Sequence, residues 1–229
     1  MLRTILLGVP AWVLVAALGL AGGCRHVPEK RADITNMQIY VLVRTTAGEF
    51  VLELDPVRAP VTTSNFLAHA RAGHYDGTIF HRVVPGFVVQ GGGWTPDLRE
   101  RAKADAAAGS PDVPIRNEWQ NGLRNERGTI GMARDEQPDT ATREFYFNLT
   151  DNFKLDTPRA TTGNAGYAVF GHVLAGWEVI ERISAAKTAP RPETGVTDGS
   201  MNNVPIEPVQ ITRVEQIEAD EARLRVPPQ

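Results

Sequence analysis

Phe80-His81-Arg82-Val83-Val84-Pro85-Gly86-Phe87-Val88-Val89-Gln90-Gly91-Gly92-Gly93 is the stretch on which the reading of this chain turns. Apolar and β-branched residues lie on either side of Pro85-Gly86, so residues 78–84 and 86–90 read as two short strands. His81-Arg82, set between apolar neighbours, reads either as a catalytic pair or as the polar face of a strand. The three glycines run into Trp94-Thr95-Pro96. They lack the later glycine, the helix and the acidic residue of a dinucleotide site, and are read as a tight bend where backbones approach closely.

Outward from this stretch, the pattern is β-rich. Met37, Ile39, Val41 and Val43 alternate with Gln38, Tyr40, Leu42 and Arg44, and after Ala47-Gly48 the residues Phe50, Leu52 and Leu54 alternate with Glu49 and Glu53. That is a two-stranded hairpin. Pro60 opens a helical stripe of Val61, Phe66, Leu67 and Ala70 that Gly73 stops. Further strands are expected at residues 128–132, 145–149, 168–173 and 209–215, with a second helix at 177–186. Residues 96–114, charged and alanine-rich, read as a surface insertion. Residues 187–208, dense in Pro, Gly and Asn, read as a long loop.

The chain has 229 residues, enough for one good-sized core, and 42% of them are hydrophobic. A formal net charge of −3 offers no general attraction to nucleic acid or anionic membrane, so no nucleic-acid partner is expected. Residues 1–23 are different in kind. Arg3 precedes an apolar run that ends on Ala21-Gly22-Gly23 directly before Cys24, the layout of a signal peptide with a small-residue cleavage site. Cys24 is the only cysteine, which excludes an intrachain disulfide. Its placement resembles a bacterial lipobox, with Leu20 one position further from the cysteine than usual. An uncleaved spanning helix and a signal cut without lipidation are the other two readings. Removal of residues 1–23 deletes only Arg3 and leaves 23 of the 24 basic residues against 27 acidic ones, a net of −4. Membrane attachment is then expected only through the N-terminal anchor. The expected organisation is signal peptide 1–23, tether 24–36, folded domain 37–217 and flexible tail 218–229, located in the periplasm or cell envelope.

Generic catalytic motifs are missing. The five histidines show no HExxH-type spacing, so no metal is expected, and neither a nucleophile elbow nor a P-loop occurs. Six segments in order carry more information: Val61–Phe66, Phe80–Gly93, Asn121–Asn125, Gly128–Arg134, Asn148–Asn152 and Gly166–Gly171. Together they resemble the signature blocks of bacterial, periplasmic-type cyclophilins, from about Gln38 to about Glu215.

The resemblance implies a mainly β fold, a closed eight-stranded barrel capped by two α-helices, with the active site in a groove on its outer surface. It implies peptidyl-prolyl cis–trans isomerisation, no cofactor, proline-containing polypeptides as partners and a monomer. By position, Arg82, Phe87 and Gln90 fall on the catalytic arginine, the proline-pocket phenylalanine and the backbone-binding glutamine. Val88 falls where methionine is common, Ala133 and Arg134 on the strand that pairs with the substrate, and Leu155 on a pocket leucine. Glu144 stands where many members have glutamine, Tyr146 where the pocket phenylalanine is expected, Lys154 in place of an aromatic, and Tyr167 where the best-known eukaryotic members have histidine. Glu144 is read as an acid that either orients Arg82 or competes for its donors, and Tyr146 as bringing a hydroxyl to the pocket's edge. Isomerase activity is expected to be preserved, with any slowing traced to these positions, and cyclosporin-type ligands are expected to bind weakly. A non-catalytic proline-peptide-binding or chaperone module is the alternative on the same fold.

Overall fold

In the computed structural model of the protein, residues 37–102, 105 and 112–226 are described. The signal peptide, Cys24 and the tether expected at 24–36 lie outside them. The first hairpin forms as the alternation requires, with strands β1 (Ile39–Thr45) and β2 (Gly48–Leu54) paired Arg44 to Glu49 and Val43 to Phe50. Val41, Val43, Phe50, Leu52 and Leu54 enter the main core. Gly48 turns the chain at φ +130°, in the region that favours glycine.

Helix α1 (Pro60–Arg71) starts on proline, whose missing N–H would be an orphan there in any case. Ala59, at its N-cap, offers no capping side chain. The carboxylate of Glu118 supplies the cap from far along the chain, accepting the Val61 N–H (3.1 Å), the Thr62 N–H (2.8 Å) and the Thr62 hydroxyl (2.8 Å). Helix α2 (Trp177–Ser184) buries Val179, Ile180 and Ile183, a one-sided stripe.

The remaining strands are β3 (Arg82–Val84), β4 (Val88–Gly91), β5 (Thr129–Met132), β6 (Phe145–Asn148), β7 (Val169–Ala175), the short pair β8 (Thr188–Ala189) and β9 (Val204–Pro205), and β10 (Ile211–Ile217). Eight of them form one curled antiparallel sheet in the order β10-β1-β2-β7-β5-β6-β4-β3. Among the described residues its edge strands β10 and β3 share no ladder of their own. Instead, the segment ahead of β3 meets the start of β10. Gly77 N–H donates to Ile211 O (2.8 Å), Ile211 N–H to Thr78 O (2.7 Å) and Phe80 N–H to Val209 O (3.1 Å). Inside the curl, Phe66, Tyr75, Phe80, Phe145, Phe147 and Phe170 pack together, several of them edge to face.

Two segments differ from the sequence reading. The tail after Ile217 holds a helix, α3 (Ala219–Leu224), whose Ala222 is buried against Leu42, Val51 and Ala175. Alternation placed Leu42 on the polar side of its strand; α3 covers that side. The 96–114 insertion, read as surface, is anchored at Asp105 and Asp112. Arg143, only 1% exposed, donates through Nη1 to Asp105 (2.6 Å) and through Nε to Asp112 (2.7 Å), with Nη2 on the second Asp112 oxygen.

Candidate active site

Strands β3 and β4 pair Arg82 with Gln90, Val83 with Val89 and Val84 with Val88. Alternation sends Val83 and Val89 into the core and leaves Arg82, Gln90 and Val88 on the outer face. Gly86, at φ +68°, makes the turn between them. On the far side of β4 lies β6, with Gln90 opposite Tyr146 and Val88 opposite Asn148. The outer face therefore gathers Val88, Tyr146 and Leu155 into an apolar cluster separate from the main core, with Phe87, Ala133 and Tyr167 packed against it. A cleft of about 330 Å³ opens over this cluster, bounded by Arg82, Gln90 and Arg134 among others. Nine of the eleven groove residues singled out from the sequence line one surface. The other two, Glu144 and Lys154, sit beside it, against Gln90 and Phe87.

The polar groups are arranged in a definite order. Arg82 Nη1 donates to Gln90 Oε1 at 3.4 Å, and Gln90 Nε2 donates to Glu144 Oε2 at 2.8 Å. Burial pushes the Arg82 guanidinium down from its ordinary value, against the pull of Asp198 and Tyr167. Arginine still stays charged, so its free N–H groups face the cleft as fixed donors. Phe87 is flanked by two cations, with the Arg82 guanidinium 5.8 Å and the Lys154 ammonium 4.6 Å from its ring centroid.

Two side chains behave differently from the sequence reading. The Tyr146 hydroxyl is turned inward, away from the pocket's edge, and donates to Asn125 Oδ1 at 2.6 Å. Burial pushes this phenol well above its usual value. The ring lies against Gly131, where a Cβ would overlap it, so the space for the extra oxygen comes from a glycine on β5. The Arg134 side chain holds the scaffold: its guanidinium donates to the carbonyls of Asp135, Glu136, Thr162, Ala165 and Gly166 and stacks 4.4 Å from the Tyr167 ring centroid.

Sequence reasoning missed the wall opposite. Asp198, Gly199 and Ser200 line the same cleft, as does Arg159. They come from irregular segments with no periodicity, and no residue signal in the chain marked them. Elsewhere, His69, His74 and Asp112 bring possible metal-ligand atoms within 4.8 Å of one another. Both oxygens of Asp112 accept from Arg143, so this cluster is part of the clamp that holds the insertion.

Residues 40–216 match the family described as cyclophilin type peptidyl-prolyl cis-trans isomerase/CLD. The chain is 44% identical over 171 residues to a peptidyl-prolyl cis-trans isomerase of Streptomyces antibioticus, which covers 75% of this chain and 94% of the relative. It is 37% identical over 174 residues to peptidyl-prolyl cis-trans isomerase B of Escherichia coli, covering 76% and 97% of the two chains. In fold it is similar to a crystal structure of a Cryptosporidium parvum cyclophilin type isomerase, with a TM-score of 0.59 at 23% identity over 80% of this chain and 99% of that one. A second structure of that protein, in the presence of the dipeptide Ala-Pro, has a TM-score of 0.57 at 23% identity over 78% and 99% of the two chains.

Proposed function

This chain belongs to the cyclophilin-type peptidyl-prolyl cis-trans isomerase family and is an enzyme of that class, and from that premise we propose that it accelerates X–Pro isomerisation in polypeptides folding outside the cytoplasm, with Arg82, Phe87 and Gln90 as the groups that act on the peptide. The observation that carries the residue assignment is the β3–β4 pairing. It sets the Arg82 and Gln90 side chains next to each other at the rim of an apolar floor made by Phe87, Val88, Tyr146 and Leu155.

The X–Pro bond resists rotation by about 18–20 kcal/mol because twisting removes amide resonance. No covalent step is required. As the bond twists, the proline nitrogen pyramidalises and gains a lone pair, which the planar ground state lacks. A fixed guanidinium donor meets that lone pair only in the twisted state, so its hydrogen bond favours the transition state over the substrate. The pyrrolidine ring would rest on Phe87 and the apolar cluster, while Gln90 and the backbone at Ala133 hold the flanking peptide. The Ala-Pro dipeptide used with the similar parasite protein is of the ligand class this floor fits.

The test is proline-peptide exchange followed by NMR. Arg82→Ala is expected to lower kcat/KM by about a hundredfold, the scale of losing one preorganised donor. Unchanged turnover would overturn the assignment. The extracytoplasmic setting rests on the signal-like run before Cys24. Palmitate labelling of cells making the full chain is expected to mark the protein, and Cys24→Ala to abolish the mark. An unlabelled wild-type chain would count against lipidation.

A further inference from the structure

Glu144 lies one residue before β6, its backbone carbonyl accepting the Ala133 N–H at 2.9 Å. Its carboxylate occupies space beside Gly93, where a Cβ would overlap it. One oxygen, Oε2, meets two groups: Gln90 Nε2 at 2.8 Å and His81 Nε2 at 3.4 Å. His81 is fully buried, and neither ring nitrogen has a closer hydrogen-bond partner. From Gln90 the contact continues to Arg82 at 3.4 Å, and no direct Glu144–Arg82 contact occurs among the described residues.

This chain of contacts has a polarity. An ionised carboxylate only accepts hydrogen bonds, so the Gln90 amide must turn Nε2 toward Glu144 and Oε1 toward Arg82. A neutral amide at position 144 would accommodate Gln90 in either orientation. We infer that Glu144 is a positioning residue of the isomerase, which sets the orientation of Arg82 through Gln90 and is itself seated against the buried His81 ring. The inference rests on the reading of Arg82 as the group that acts on the peptide. Burial by itself would raise the Glu144 carboxyl. The charge of His81 and the hydrogen bonds from His81 and Gln90 outweigh that and bring it below its ordinary value, with Asp198 pushing the other way. The ionisable groups around it are His81 and, past Gln90, Arg82 on the β3 side, and Asp198 from the loop.

The test measures proline-peptide exchange by the full-length protein between about pH 5 and 8, above the ordinary carboxylate range, with the Gln90 side-chain amide signals followed alongside. Wild type is expected to be flat at the acid end. Glu144→Ala is expected to lower kcat/KM by about tenfold through misplacement of Arg82, and Glu144→Gln to lose less. Both should shift the Gln90 amide signals. His81→Gln removes the ring whose influence lowers the Glu144 carboxyl against burial, so it should bring an acid-side fall into this range, and adding Glu144→Gln should flatten the profile again. Wild-type turnover in both Glu144 variants, or Gln90 signals that do not move, would overturn the positioning role. Full turnover in Arg82→Ala would instead overturn the reading on which it rests.

Discussion

Gly131 and Tyr146 show how one side chain in the floor of the cleft depends on the absence of another. The Tyr146 ring fills the space a Cβ at position 131 would need, and its hydroxyl is fixed by Asn125, which also accepts from Asn148 Nδ2 at 3.0 Å. Gly131→Ala is therefore expected to displace the ring, lower kcat/KM by at least tenfold and destabilise the fold by about 1–3 kcal/mol, the usual range for overpacking. Peptide exchange and urea unfolding check both halves, and wild-type values in both would contradict the close packing. Phe87, Val88, Gln90 and Tyr146 were marked in the sequence by their positions relative to the family pattern, and they share one face of the sheet. The inward turn of the Tyr146 hydroxyl was not legible there, because it depends on Asn125, distant in sequence and read only as part of a block. The same holds for the Arg134 guanidinium, whose carbonyl partners come from a loop without periodicity.

At the level of elements, regular pattern and long-range polar contact divide the information. The β1–β2 hairpin, α1, α2 and the β3–β4 hairpin were readable because one face of each is apolar at the proper period. The caps and clamps were not readable. Helix α1 relies on Glu118, 56 residues beyond Thr62, for a bond that a local Ser, Thr or Asp supplies in most helices. Glu118→Ala leaves the Val61 and Thr62 amides without their acceptor. It is expected to reduce stability by about 1–2 kcal/mol, the range for losing a helix cap, seen as a lower urea midpoint with an unchanged slope. A neutral effect would mean that water replaces the carboxylate without penalty. The 96–114 insertion follows the same logic: its charges read as solvent-facing from sequence, yet Asp105 and Asp112 are the partners of a buried arginine.

For the whole molecule, His69, Asp55 and Asp105 all have their values lowered and so respond to acid in one direction. Burial, which outweighs the other influences, pushes the His69 imidazole down to about 4. The nearby Arg143 and His74 charges act in the same direction, and Asp112 and Asp105 oppose them. A histidine that resists protonation in the folded state stabilises the fold above its unfolded value, about 6.5. That contribution fades as pH falls toward 4, because the unfolded chain takes up the proton first. The carboxyls of Asp55 and Asp105 are also lowered: burial opposes this, but bonds from Arg58 to the first and from Arg143 and Arg101 to the second prevail. Their contributions persist above the ordinary carboxylate range and disappear only below it. Stability is thus expected to be level above about pH 7. It should fall between about 6.5 and 4 with a slope approaching 1.4 kcal/mol per pH unit, that of a single proton, and fall again in stronger acid. Urea unfolding across this range, repeated with His69→Asn, separates the two stages, since the variant should lose the first fall and keep the second. A first fall that survives the substitution would assign it to a group other than His69.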